Sequence, residues 1–426
     1  MGILKRASIL AVTLIIPAVL YAQFNNNTTS PYSRFSLGDL HSGTLGRSAA
    51  MGGAILGSRN NLQVNLNNPA SYTSLDSLSF IFDFGLDADF ANYKTDISSL
   101  STNDINFKYF AFSFPVTHWL GVGIGLTPYS DSGYDIQITQ NNDTFGQIWH
   151  RYHGEGSLSK AIFGIGIKPV KYISVGANLY YLFGKLTRNA DVVFLEALDF
   201  YNDQKYEQIR IRNFGVSYGL QATLPITPKK KVTLGLTLDD KPEFTAFHTN
   251  VTRKILSNSS ATTIDTVSII NAERGIVTMP LGLGTGISYT TKDHLEINAD
   301  YIHQAWSKAS LPWDLGQNVT DLDRFALGVE FIPDKFSIRS YFDKVAYRAG
   351  VNFEKYYLII DGHQLNNIGI SFGVGLPIYR SLSEFNISAE FGKQGTTDFN
   401  LVRQYYARLT FSISLYENWF MKRKFD

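Results

Sequence analysis

The sequence predicts an all-β fold, a transmembrane antiparallel β-barrel of about fourteen strands with an N-terminal hatch, or plug, inserted in the lumen. Three observations carry this expectation. From Leu78 onward, apolar and polar residues alternate with period two through most of the chain. The links between the alternating segments come in turn as short and long, the habit of membrane barrels. Ahead of the strands stands a stretch that does not alternate, residues 49–70, glycine-rich at first and asparagine-rich at its end, closing on Asn67-Asn68-Pro69-Ala70.

The N-terminus is read separately. Lys5 and Arg6 precede an apolar run, Ile9–Leu20, and Leu20-Tyr21-Ala22 offers a cleavage site, so residues 1–22 are expected to be a signal peptide. The expected divisions after it are a hatch over 23–76, a barrel over 77–416 and a periplasmic tail over 417–426. There is no cysteine, which excludes disulfides and a lipidated-cysteine anchor. No apolar run after residue 22 approaches the roughly 18 residues of a spanning helix. The net charge is +1, which gives no footing for nucleic-acid binding.

Within the hatch, the residues around Gly52-Gly53 suggest one short helix over 47–56. The first strand then alternates Phe80, Phe82, Phe84 and Leu86 with Ile81, Asp83 and Gly85; the last alternates Leu409, Phe411 and Ile413 with Thr410, Ser412 and Ser414. A sandwich core and a lipid-facing barrel give the same alternation; the links decide between them. Short links fall at 117–118, 169–172, 225–231, 290–293, 333–335 and 377–383. Longer polar links are expected near 91–103, 130–153, 190–204, 249–266 and 307–319, with 361–364 and 394–400 assigned to this class by their place in the sequence of turns. Proline recurs at the short links (Pro115, Pro169, Pro225, Pro333, Pro377), where the ladder has ended and a missing N–H is harmless. Trp119 and Trp419 on the turn side, with Trp306 and Trp313 on the loop side, are expected to form interfacial girdles.

Several strands carry glycine on the face opposite the apolar one: Gly121, Gly123 and Gly125; Gly164 and Gly166; Gly282, Gly284 and Gly286; Gly373 and Gly375. These glycines either permit curvature or leave room for an inserted segment, for which residues 49–70 are the candidate. Glu296, Asn298 and Asp300, with Lys160, Glu390, Arg348 and Arg408, are expected to face the lumen. His150-Arg151-Tyr152-His153 at a predicted loop end, Asp321 with Asp323, and Asp239-Asp240 are weak metal patterns, and no metal site, cofactor or catalytic set is expected.

Ala50-Met51-Gly52-Gly53-Ala54, Asn65 and Asn68-Pro69-Ala70, ahead of about fourteen strands, resemble the FadL/TodX family of long-chain fatty-acid transporters. The resemblance implies a hatch whose motif is Asn65, Asn68, Pro69, Ala70, Gly52 and Gly53, with Asn68, Pro69 and Ala70 bracing it against the wall. It also implies a lateral gap beside the third strand, near Pro128 and Gly133, and ligand carboxylate contacts from cations such as Arg348 and Arg408. The implied function is outer-membrane uptake of hydrophobic, fatty-acid-like molecules. The block Pro31–Asp39 is foreign to that pattern and marks a divergent member. The layout is also similar to FadL-type barrels that serve as subunits of secretion machinery, so the alternative is a non-transporting subunit of an outer-membrane secretion or assembly complex. The expected surroundings are the outer-membrane bilayer, a hydrophobic small-molecule ligand or outer-membrane protein partners, and no nucleic acid. The chain is not expected to be an enzyme.

Overall fold

The computed structural model describes residues 27–196, 200–255 and 263–419; the expected signal peptide and residues 420–426 of the expected tail lie outside the described residues. A two-residue strand, β1 (Asp39–Leu40), precedes the wall. The wall opens with β2 (Ser79–Lys94), β3 (Ser99–Thr117), β4 (Leu120–Asn142), β5 (Gly146–Val170), β6 (Ile173–Phe194) and β7 (Asn202–Thr227). Next come β8 (Lys230–Asp239), β9 (Glu243–Ile255), β10 (Thr263–Thr278), β11 (Gly282–Thr291), β12 (Leu295–Gln304) and β13 (Leu322–Phe331). It ends with β14 (Ala346–Ile360), β15 (His363–Pro377), β16 (Glu384–Gln394) and β17 (Arg403–Asn418).

β8 and β9 lie one after the other along β7, so they are halves of one wall strand. β11 and β10 lie against these halves in the same way and form the next. Pro242 and Pro280 stand at the two interruptions, where an absent N–H removes a ladder bond. Counted so, the wall has fourteen antiparallel strands, and β17 pairs β2 from Asn418↔Ser79 to Arg403↔Lys94 to close it. Closure is what a bilayer demands, because each backbone N–H and C=O must find its partner within the protein. The period-two pattern then sorts side chains. On β2, Phe80, Phe82 and Phe84 face outward while Asp83 and Asp87 are buried inside.

Much of what reads as long polar loop is strand. β4 and β5 stay paired from Ser130↔Leu158 to Asn142↔Gly146, and β2 and β3 reach Lys94↔Ser99. Beyond the membrane both faces of a sheet are wet, so apolar alternation stops while backbone pairing continues. For the same reason His150 and His153 lie within β5, opposite Ile138 and Asp135, and not at a loop end. Conversely, the expected short link at 333–335 occupies residues 332–345 and contains a 3-10 turn, Phe342–Lys344. The loop-side tryptophans are not a girdle. Trp306 is fully buried against Tyr357, ring centres 4.8 Å apart, and Trp313 stacks on His248 at 4.7 Å. Trp119 and Trp419 are exposed at the turn side.

Candidate functional site

The inside of the barrel is built by the segment ahead of β2. Its helix is a single turn, Gly46–Ala49, shorter than the 47–56 expected, because the chain reverses at Gly52 (φ +63°) and Gly53 (φ +86°). Gly52 N donates to Ser371 Oγ (2.8 Å), and Arg324 Nη2 donates to Gly52 O (3.2 Å). Here the plug backbone lies directly on the wall: a Cβ on Gly350 would collide with the backbone of Met51 and Gly52.

The asparagines bond the plug's own chain, and Asn68 reaches the wall as well. Asn65 Nδ2 donates to Ile55 O (3.0 Å), and its Oδ1 accepts from Asn67 N and Asn68 N. Asn68 is fully buried; it caps the 3-10 turn Pro69–Ser74 by accepting from Ala70 N (3.2 Å). Its Nδ2 donates to Leu56 O (2.9 Å) and to Leu220 O of β7 (3.4 Å). Pro69 faces Gly166, Gly176 and Gly219, and Tyr72 faces Gly121, Gly123 and Gly164 while donating to Asn178 Oδ1 (2.8 Å). Most of the glycine faces therefore receive the plug; Gly282 and Gly375 instead face Asp239 and Glu384.

Charge fixes the other side. Buried Arg47 grips Glu330 through Nε (2.6 Å) and Nη2 (2.7 Å), and Glu296 through Nη2 (2.8 Å). Glu330 also accepts from Arg348 Nε (2.6 Å), and Arg348 reaches on to Asn386 and Glu384. Asp300 accepts from Ile55 N (2.5 Å) and Leu56 N (2.8 Å). Arg348 is thus held inside a wall-to-plug network, with its charge matched by two carboxylates. Arg408, the other cation expected to meet a ligand, pairs with Asp89 (2.6 Å) and lines a polar cavity of about 160 Å³ with Asp87, Lys108, His41 and Glu390.

That cavity lies behind a seam. β3 and β4 pair from Thr117↔Leu120 only as far as Phe110↔Leu126; beyond this the two strands part. β4 runs on through Pro128 to Asn142 with a bulge after Pro128, so the proline marks the parting and does not end the strand. The N-terminal segment occupies the seam. β1 pairs Asp39↔Asp131 and Leu40↔Ser130, and His41 N donates to Tyr129 O (2.9 Å). Ser33 Oγ accepts from Gly133 N (3.0 Å), and Thr29 meets Thr102 (2.7 Å). His41 Nε2 lies 2.6 Å from Asp131 Oδ2. Burial opposes a charge on His41, but Asp131 outweighs it and raises the imidazole pKa; burial pushes the Asp39 carboxyl up to about 6. Above the cavity, Tyr32, Leu37, Leu182, Ile211, Trp306 and Tyr357 belong to one buried apolar cluster.

A family profile described as BamG matches residues 3–426. The chain belongs to the BamG family. No individually curated protein matches this BamG-family sequence. Its fold is that of a divergent FadL-like outer-membrane barrel. The Pseudomonas putida toluene transporter TodX shares it with TM-score 0.56 at 15% identity, over 90% of this chain and 99% of that one. The Ralstonia pickettii toluene transporter TbuX does so with TM-score 0.54 at 15% identity, over 92% and 99%. A Pseudomonas aeruginosa FadL homologue does so with TM-score 0.53 at 11% identity, over 88% and 98%.

The residues that sequence reasoning missed in this BamG-family barrel are Arg47, Glu330, Glu384 and the seam pair His41–Asp131. Arg47 and Glu330 are 283 positions apart, and neither sits in a recognisable motif. The one available signal was an arginine, Arg47, at the start of the segment expected to form the plug's helix.

Proposed function

We propose that this barrel serves as a plugged, non-transporting subunit of an outer-membrane complex for protein secretion or assembly. The observation that supports it is the filled lumen. Below, the plug is bound to the wall by Arg47, Glu296, Glu330 and Arg348; above, an apolar cluster around Trp306 and Tyr357 closes the bore. The polar cavity between them is lined by Asp87, Asp89, Glu390 and Arg408, a poor host for an apolar guest. A barrel that passes no solute still offers a rigid scaffold with tall outer strands and a periplasmic rim. Two measurements test this. Planar-bilayer recordings of the purified protein are expected to show no conductance, and purification in mild detergent is expected to retain protein partners. Steady conductance from a solitary barrel overturns the proposal.

A second reading keeps the transport of hydrophobic molecules, favoured by the fold shared with TodX and TbuX and by the parting of β3 and β4. In that case residues 27–41 have to leave the seam before an apolar solute can pass. Saturable binding of toluene to the purified barrel, lost when Phe110 or Leu126 beside the seam is replaced by aspartate, is the outcome that selects it.

A further inference from the structure

At the periplasmic mouth, cations gather in a pocket that no acid among the described residues lines. A pocket of about 290 Å³ lies between the plug and the turns of the rim, lined by Arg59, Lys168, Lys171, Lys231, Thr73 and Ser174 among others, and by no carboxylate among the described residues. Among the described residues Arg59 is bonded to neutral acceptors: Gln221 Oε1 (3.0 Å), Thr73 Oγ1 (2.9 Å) and Ala70 O (3.3 Å). Lys231 Nζ donates to Arg59 O (3.2 Å), and Lys171 Nζ stands 5.3 Å from the Tyr172 ring centre. Of the carboxylates nearby, Glu296 accepts from Arg47 and Ser58 and Asp76 accepts from Asn61, and neither lines the pocket. Burial without a counter-charge lowers the Arg59 pKa to about 10. Like charges that share one pocket repel one another, a cost that a bound anion reduces.

We propose that this mouth pocket binds carboxylates and seats an acidic peptide segment of a periplasmic partner. The proposal rests on the reading of the barrel as a subunit and names the chemistry of one contact. Thr73 belongs to the plug and Ser174 is buried on the inner side of β6, so the pocket opens inside the rim, away from the headgroups of the surrounding leaflet. A planar guanidinium with flexible ammonium groups around it suits paired carboxylate oxygens. The volume accommodates a few side chains and not a folded domain.

The test uses the full-length protein in phosphatidylcholine nanodiscs and a fluorescein-labelled hexaglutamate peptide, read by anisotropy. The peptide is expected to bind, to weaken with salt, and to lose about tenfold in affinity in Lys168→Gln/Lys171→Gln and again in Arg59→Gln. The two lysines lie at the end of β5 and in the turn after it, outside the plug, which keeps the test valid if Arg59→Gln disturbs the plug. Binding that both variants leave unchanged overturns the proposal. Displacement by inorganic phosphate as readily as by unlabelled peptide overturns it in favour of a small-anion site, and binding only in phosphatidylglycerol discs overturns it in favour of lipid. A barrel that keeps its protein partners but ignores the peptide removes the site alone. A solitary barrel that binds the peptide removes the subunit reading alone.

Discussion

At the scale of single residues, the plug is held by a few buried polar contacts that cannot be removed one at a time without leaving a charge stranded. Arg47→Ala leaves Glu296 and Glu330 facing each other in a buried site. A loss of ~3–5 kcal/mol is expected, as for other buried pairs deprived of one partner, and is measured by urea unfolding in detergent micelles. The double variant Arg47→Met/Glu330→Gln is expected to cost less than the single one. Gly350 makes a steric counterpart: any side chain there enters the space held by Met51 and Gly52. Gly350→Val is therefore expected to leave the barrel closed but the plug loosened, seen as faster proteolysis within residues 44–70. These two sites differ in legibility. A glycine row beside an apolar row announces a face that must admit a neighbour, and it did point to the plug. A salt bridge between positions far apart in the chain leaves no such trace, because charge at a lumen-facing position looks the same whether it meets water, another wall strand or the plug.

At the scale of elements, β1 and the residues before it are a short strap laid into the unpaired half of the β3–β4 seam. Because the chain has no cysteine, a single introduced thiol reports on this region cleanly. Thr127→Cys is buried behind the strap and is expected to react slowly with a maleimide, then rapidly once residues 27–41 are deleted. The strap is also expected to respond to pH. The Asp39 carboxyl is raised to about 6, so its docked, protonated form is favoured at low pH and that advantage is lost as pH rises through about 6. His41 is raised by Asp131, so its contribution is complete below the ordinary imidazole value and is lost as pH climbs past the raised one. Both signs agree: hydrogen-exchange protection of residues 30–41, corrected for intrinsic rates, is expected to fall between pH 5 and pH 8. Protection that is flat or rising over this range contradicts the assignment. The strap was not legible beforehand. Two paired residues carry no periodicity, and Pro31–Asp39 reads as an isolated turn until β4 is seen to lie beside it. Strand number, by contrast, was legible, because lipid enforces alternation on every wall segment. Strand length was not, because nothing enforces it above the membrane.

At the scale of the whole molecule, the wall is a single sheet whose first and last strands seal each other, with the plug inside and attached to strands from both halves of the chain. Asn68 reaches β7, Arg47 reaches β12 and β13, and Gly52 reaches β14 and β15. The expected result of refolding the barrel without residues 27–76 and then supplying them as a peptide is no re-entry, read as an unchanged plug-free melting profile; recovery of the native profile refutes this. The β2–β17 seal also sets an order of events in biogenesis. Because the plug precedes the wall in the chain and β17 completes the seal, the plug is expected to ride on the inner side of a still-open sheet until that strand pairs. A poorly seated plug is then expected to delay the pairing of β17 with β2, read as slower formation of the closed barrel in Arg47→Ala than in the wild-type protein.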